Sequence, residues 1–218
     1  AVYFAVHAKN YLINDKSDEL ISLYNMVKNQ DKDFFEKLKA FDHNWKIISN
    51  VVDNHSDYLI TLYCSYKNDI YNEQELNDEI TEFVLANADE FNGLLSRSFN
   101  CQIENFVNEL NKSIKNKMIR MKRLEKSKGT LCQEDLIANI ECSLAFYTHF
   151  RYLINHKDEF GISNAFATAI YFFMRQTCYS SMFRYNKNGQ FNVPYGGISY
   201  NRKSFLNKID YYQNKDLV

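Results

Sequence analysis

Arg184 and Lys187 lie in a stretch of unusual make-up: Arg184-Tyr185-Asn186-Lys187-Asn188-Gly189-Gln190-Phe191-Asn192-Val193-Pro194-Tyr195-Gly196-Gly197. It holds the chain's one proline and three of its six glycines. Arginine can donate two parallel hydrogen bonds to the O6 and N7 of guanine in the major groove. Asn188-Gly189 is a strong signal for a tight primed turn, whose central residues need positive φ. Phe191-Asn192-Val193 then reads as a short strand, ended by Pro194 and the Gly196-Gly197 pair. These signals predict a rigid basic β-hairpin over residues 184–198, flanked by Tyr185, Phe191 and Tyr195, that reaches into a nucleic-acid groove. No Asp or Glu occurs from Gly161 to Ile209, while Arg175, Arg184, Lys187, Arg202, Lys203 and Lys208 do. The whole chain has a net charge of only −1. The asymmetry is therefore local, which is all that phosphate binding requires. A loop that merely lacks acids remains the alternative on charge alone.

The elements that must carry such an arm read as helical. Apolar residues recur at three- and four-residue steps over 34–41, 73–91, 103–126, 136–153 and 166–183, and the last of these delivers the chain into the predicted hairpin. Breaks are expected at Gly129 and at 157–163. Lys112, Lys115, Lys117, Arg120, Lys122, Arg123, Lys126 and Lys128 crowd one helical stretch, opposed by Glu125 alone. That face can neutralise DNA phosphates, or it can be the solvated side of an amphipathic helix. At the amino end, residues 11–13 read as a short strand. Ser17 can cap a helix with Leu20, Ile21, Leu23, Tyr24 and Val27 on its buried side. Asp15 falls where a Rossmann-like second strand would end, a place from which a carboxylate can accept bonds from a ribose. Helping to start the helix is the other reading of Asp15.

Composition narrows the class. Of the 218 residues, 45% are hydrophobic and 33 are Phe or Tyr (17 and 16), enough for a substantial core. No apolar run approaches the ~20 residues that cross a bilayer, and the start lacks the charged leader of a signal peptide. Five cysteines without C-x-x-C spacing argue for reduced thiols in a cytoplasmic protein and against a zinc site. The histidines show no metal-ligand spacing. Phosphate-loop, nucleophile-elbow and His-Glu-x-x-His motifs are absent. Carboxylate pairs such as Asp78-Glu79 are adjacent on helices and read as surface charge.

Tyr179-Ser180-Ser181-Met182-Phe183-Arg184-Tyr185-Asn186, then Gly189, then Phe191-Asn192-Val193-Pro194-Tyr195-Gly196, resembles the target-recognition hairpin of Dam-type DNA adenine methyltransferases. Those enzymes transfer a methyl group from S-adenosylmethionine to adenine N6. Tyr11-Leu12-Ile13-Asn14-Asp15, followed by Leu20-Ile21-Ser22-Leu23-Tyr24-Asn25, is similar to the segment after that family's cofactor loop. The two matches stand in the family's chain order. The resemblance implies that Asp15 holds the cofactor ribose and that Arg184 reads a base. It places Tyr179 and Ser180 beside the space left by a flipped adenine, and Lys187 and Arg202 on phosphates. It adds Met182, Asn186, Asn192, Pro194 and Gly197 to the DNA-contacting set. The chain departs from the pattern at Ser180-Ser181, where the family commonly has Asn-Gly.

The family's glycine-rich loop and Asp-Pro-Pro-Tyr motif are not in the sequence: its first glycine is Gly93 and its one proline is Pro194. Asn192-Val193-Pro194-Tyr195 lacks the second proline of that motif. The expectation is a fragment with no catalytic residue and no metal. It would be part of a site-specific adenine-N6 methyltransferase, supply mainly recognition of double-stranded DNA, and be inactive alone. The alternatives are a split or inactive homologue that binds DNA or a complementing chain, and a helical protein–protein module. The expected fold is mainly α: a partial Rossmann-like α/β segment at 1–41, a helical insertion at 42–160, and a recognition segment at 161–218 with its β-hairpin. The target sequence is open, since such hairpins serve GATC and other sites.

Overall fold

The computed structural model describes residues 15–94, 99, 102–142, 146–197 and 206–213, which form nine α-helices and no strand or sheet. The helices are α1 (Asp18–Lys28), α2 (Lys32–Lys67), α3 (Glu73–Ala86), α4 (Ala88–Leu94), α5 (Ile103–Lys128), α6 (Gln133–Cys142), α7 (Phe146–Asn155), α8 (Asn164–Thr177) and α9 (Leu206–Gln213). Side-chain caps start several of them. Ser17 accepts from the Leu20 N–H, Asp31 from Phe34 and Ser163 from Phe166, while Asn72 and Glu75 form a reciprocal capping box.

The central element is α2, whose 36 residues span about 54 Å at 1.5 Å per residue. Helices α8, α6, α4, α9 and α3 all pack on it. Only residues 34–41 of it were expected, because Asp42-His43-Asn44 breaks the apolar rhythm. The Asp42 carboxylate and the Asn44 amide nitrogen find partners within the helix itself, while Asn44 Oδ1 is buried without one among the described residues. Asp42 pairs with Lys46 at 2.6 Å, and the Asn44 amide donates to the Ala40 carbonyl at 2.7 Å.

Elsewhere the expected helices shift at their ends. The stretch 73–91 divides at Asn87, whose side-chain amide donates to the Phe83 carbonyl. The stretch 136–153 is covered by α6 and α7. Helix α8 stops at Thr177, six residues before its predicted end, where Cys178 turns extended.

An aromatic cluster forms the core beneath the arm. Phe41 stacks on Phe173 at 4.7 Å and meets the edges of Phe150 and Phe146, and Phe99 lies against Phe41 and Phe166. Full burial of each such ring stabilises the fold by about 1.5–3 kcal/mol.

Two expectations need correction. No Rossmann-like α/β segment is present among the described residues. The predicted strand at 11–13 lies outside them, and α1, which was to cover a sheet, packs on α8 instead. The basic arm is not a projecting β-hairpin either. Its two sides meet only in isolated bridges, Tyr185 to Phe191 and, at the base, Cys178 to Tyr195. Phe191 and Val193 are 4% and 1% exposed, so the returning leg is pressed onto the bundle. The Phe191 N–H and carbonyl point away from the other leg and are taken by Asn155 of α7, and Pro194 has no N–H to offer a ladder.

Candidate nucleic-acid interface

Helix α8 is buried along most of its length, with Phe166, Ala169, Ile170, Tyr171, Phe172, Phe173 and Met174 all inside. It therefore presents its carboxyl end as a fixed point. There the chain reverses through a 3₁₀ turn, Tyr179–Ser181, in which Ser180 (φ 55°) and Ser181 (φ 51°) are both left-handed. Non-glycine residues adopt that region at a cost of about 1 kcal/mol or more. An Asn-Gly pair adopts it more easily, which gives a physical reason for the family's usual residues at these two positions.

The outgoing leg runs from Met182 to Tyr185 and the tip from Asn186 to Gln190. Asn186 organises the tip. Its Oδ1 accepts from the Asn188 and Gln190 N–H groups, both at 2.9 Å, and its Nδ2 donates to Gln190 Oε1. Gly189 supplies the positive φ (73°) that the turn requires.

Helix α7 fastens the returning leg. Asn155 donates from Nδ2 to the Phe191 carbonyl (2.9 Å) and accepts at Oδ1 from the Phe191 N–H (2.7 Å). Tyr147 Oη and Arg151 Nη1 both donate to the Val193 carbonyl, at 2.9 and 3.3 Å. Burial pushes the Tyr147 hydroxyl well above its ordinary pKa, so it remains a donor. The base of the arm closes on itself: the Tyr179 N–H donates to the Pro194 carbonyl and the Gly196 N–H to the Thr177 carbonyl, each at 2.9 Å. Trp45 and Tyr147 flank the Tyr195 ring.

With Phe183, Phe191 and Val193 turned toward the bundle, the alternate positions face out. Arg184, Lys187, Asn192 and Pro194 are exposed, as are Tyr179, Ser180 and Met182. Arg184 Nε donates to Asn192 Oδ1 at 3.2 Å, and the Asn192 N–H donates back to the Arg184 carbonyl. The terminal guanidinium nitrogens keep their own donors for another partner. Gly197 is left-handed (φ 93°) where the chain leaves the arm. Arg202 lies outside the described residues.

Asp15 stands at the head of α1, its Oδ1 accepting from the Ser17 N–H at 2.9 Å. A cleft of about 480 Å³ runs from Asp15 and Lys16 past Arg175 to Ser181 and Tyr185, so the candidate ribose ligand and the reversal turn share one space. Across it, the Tyr185 hydroxyl reaches Glu19 Oε1 at 3.4 Å. Burial raises the Tyr185 pKa, and the Glu19 carboxylate raises it further. Sequence reasoning missed Asn155, Tyr147, Arg151 and Glu19. No local motif marks them, because each acts on residues distant in sequence.

The basic face of α5 is a different environment. Lys122 is 11% exposed, sits over the Tyr66 ring and bonds both Asp69 and the Tyr66 carbonyl. Lys112 pairs with Glu109. Glu125 accepts from Lys67, from Tyr63 at 2.6 Å and from the Leu131 N–H at 2.8 Å. Burial pushes the Glu125 carboxyl up, but these donors outweigh it and hold the pKa below the usual glutamate range.

The family of D12 class N6 adenine-specific DNA methyltransferases matches residues 103–217, which is just over half of the chain and includes the whole arm. The chain belongs to this family. It is also similar to the type II methyltransferase M.CviBI of Paramecium bursaria Chlorella virus NC1A, at 43% identity over 49 residues, or 22% of this chain and 19% of that protein. The alignment thus spans about a fifth of the relative's length. No solved structure matches. Among the described residues of this D12-class chain, no helix is long and apolar enough to cross a membrane, and no group of side chains could hold a metal ion.

Proposed function

We propose that this chain supplies DNA target recognition to an adenine-N6 methyltransferase that uses S-adenosylmethionine and works in the cytoplasm. The observation that carries the reading is the presentation of Arg184: exposed, steadied at Nε by Asn192, on a leg whose neighbours are fixed to α7. A base-reading arginine needs its fork held while its terminal nitrogens stay open. In this reading Lys187, at the tip, and Arg202 meet phosphates. Tyr179, Ser180 and Met182 stand beside the displaced adenine, and Asn192, Pro194 and Gly197 complete the contacting edge. Asn186 serves the same surface by shaping the tip.

Asp15 fits one part of the cofactor. Its carboxylate opens into the cleft beside the reversal turn and can accept from ribose hydroxyls. The cofactor supplies the methyl group when bound. Holding the adenine amino group calls for a motif that the 218 residues do not include. The proposed division therefore keeps 1–41 on the cofactor side, 42–160 as a helical insertion and 161–218 as the recognition segment. The type II name of the viral relative favours a restriction–modification setting.

The test is selection of sites from random duplexes by this chain, followed by binding of the Arg184→Ala variant at two salt concentrations. Loss of about 5- to 100-fold in preference for the selected site, with salt-sensitive binding retained, is the expected result. Preference undiminished in Arg184→Ala, or no binding by the folded chain, overturns the reading.

A further inference from the structure

We propose that Asn155 is the positioning residue for Arg184, setting the register of the arm on which base reading depends. This inference rests on Arg184 contacting a base.

Asn155 is the last residue of α7 and lies 36 positions before Phe191. Its side-chain amide bonds both backbone groups of Phe191, at 2.9 and 2.7 Å. It thus does for one residue what a neighbouring strand would do, in an arm that has no such strand. Tyr147 and Arg151 reach only one group, the Val193 carbonyl. Between these clamps lies Asn192, whose side chain accepts from Arg184 Nε and whose N–H donates to the Arg184 carbonyl.

The arm alternates strictly here: Phe191 in, Asn192 out, Val193 in, Pro194 out. A slip of one residue would turn Asn192 inward and Phe191 outward, because side chains alternate with period two. Arg184 would then lose its steadying acceptor. Burial of Phe191 and Val193 opposes that slip, but the packing there is not tight. A cavity of about 210 Å³ lies under the arm, lined by Asn155, Glu19, Tyr185 and Phe191 among others. The directional bonds of the Asn155 amide fit only with Phe191 opposite it, so they fix the register that burial favours.

The experiment is a double-mutant cycle on the protein that carries this chain. Affinity is measured for a selected DNA site and for a scrambled duplex, in Asn155→Leu, Arg184→Ala and the double variant. Leu matches Asn in shape but can pair with neither group of Phe191. Asn155→Leu is expected to lower the site preference about tenfold or more, within the range of a lost bidentate contact. The double variant should discriminate no worse than Arg184→Ala alone, since both changes remove the same contact. Asn155→Asp keeps the acceptor for the Phe191 N–H but loses the donor to its carbonyl. It should fall between Asn155→Leu and the parent, and it carries the same cycle should Asn155→Leu fail to fold. Full site preference in the Asn155 variants, or losses that multiply in the double variant, overturns the proposal. Full preference in Arg184→Ala removes the base-reading assignment itself, a different failure from one confined to Asn155.

Discussion

The arm and the basic face of α5 look alike as strings of cations, yet their neighbours make them opposites. On α5, Lys122 is nearly buried and Lys112 is paired, while Glu125 gathers Lys67 and Tyr63. Even Lys126 lies within the field of Asp69. Lys122 and Glu125 in particular tie α5 to the end of α2. On the arm, Arg184 and Lys187 face solvent from a segment without acids, and the backbone beneath them is bonded to α7. What separates a structural cation from a recognition cation is which groups surround it in space.

The largest test of that contrast is Glu125→Ala. It leaves Lys67, Tyr63 and the Leu131 N–H without their acceptor, and the urea midpoint should report a loss of about 2 kcal/mol, the worth of hydrogen bonds to a charged group. Discrimination among DNA sites by the folded variant should not change. The same carboxyl gives a pH signature. Because its folded pKa lies below the ordinary 4.5, its stabilisation is present above that value and is lost as pH falls through the lowered one. Urea titrations from about pH 5 to pH 3 should show this component in the parent and not in Glu125→Gln.

Next in size is Tyr147→Phe, which removes a buried donor to the Val193 carbonyl. About 1 kcal/mol should be lost, and the arm should become easier to cleave with a protease. Ser181→Gly acts in the other direction: relief of a left-handed serine should raise stability by about 0.5–1 kcal/mol, read as an increase in Tm. The smallest stability change, near zero, is expected for Lys187→Ala and Lys126→Ala. DNA binding divides the pair. The slope of log affinity against log salt should fall by about one for Lys187→Ala and stay unchanged for Lys126→Ala. Equal slopes would dissolve the contrast between the two regions.

The helices were largely legible from periodicity, and the Ser17 cap was read correctly. Periodicity found α5 to within two residues of its observed end because its apolar steps run unbroken from Phe106 to Met121. It failed along α2, where Asp42 and Asn44 enter the core and find Lys46 and the Ala40 carbonyl inside the helix. A turn beside Asn188-Gly189 was legible as a local event, but it is not the primed turn expected: the Gly189 N–H donates to the Asn186 carbonyl, so Lys187 and Asn188 are its central residues, and of the Asn-Gly pair only Gly189 has positive φ. The rest of the arm was not, because how its returning leg seats depends on the helix it meets. Asn155 and Tyr147 hold Phe191 and Val193 from another helix, contacts that no local pattern records. The family match covers the residues of the arm whatever its secondary structure.

The chain has one tryptophan, Trp45, and its ring lies 5.9 Å from that of Tyr195 at the base of the arm. The protein thus carries its own optical probe of arm seating. Emission from one indole, with no second to obscure it, follows whether Tyr195 stays docked as DNA arrives. A rigid arm would leave that emission steady on binding, whereas an arm that lifts from the bundle would shift it.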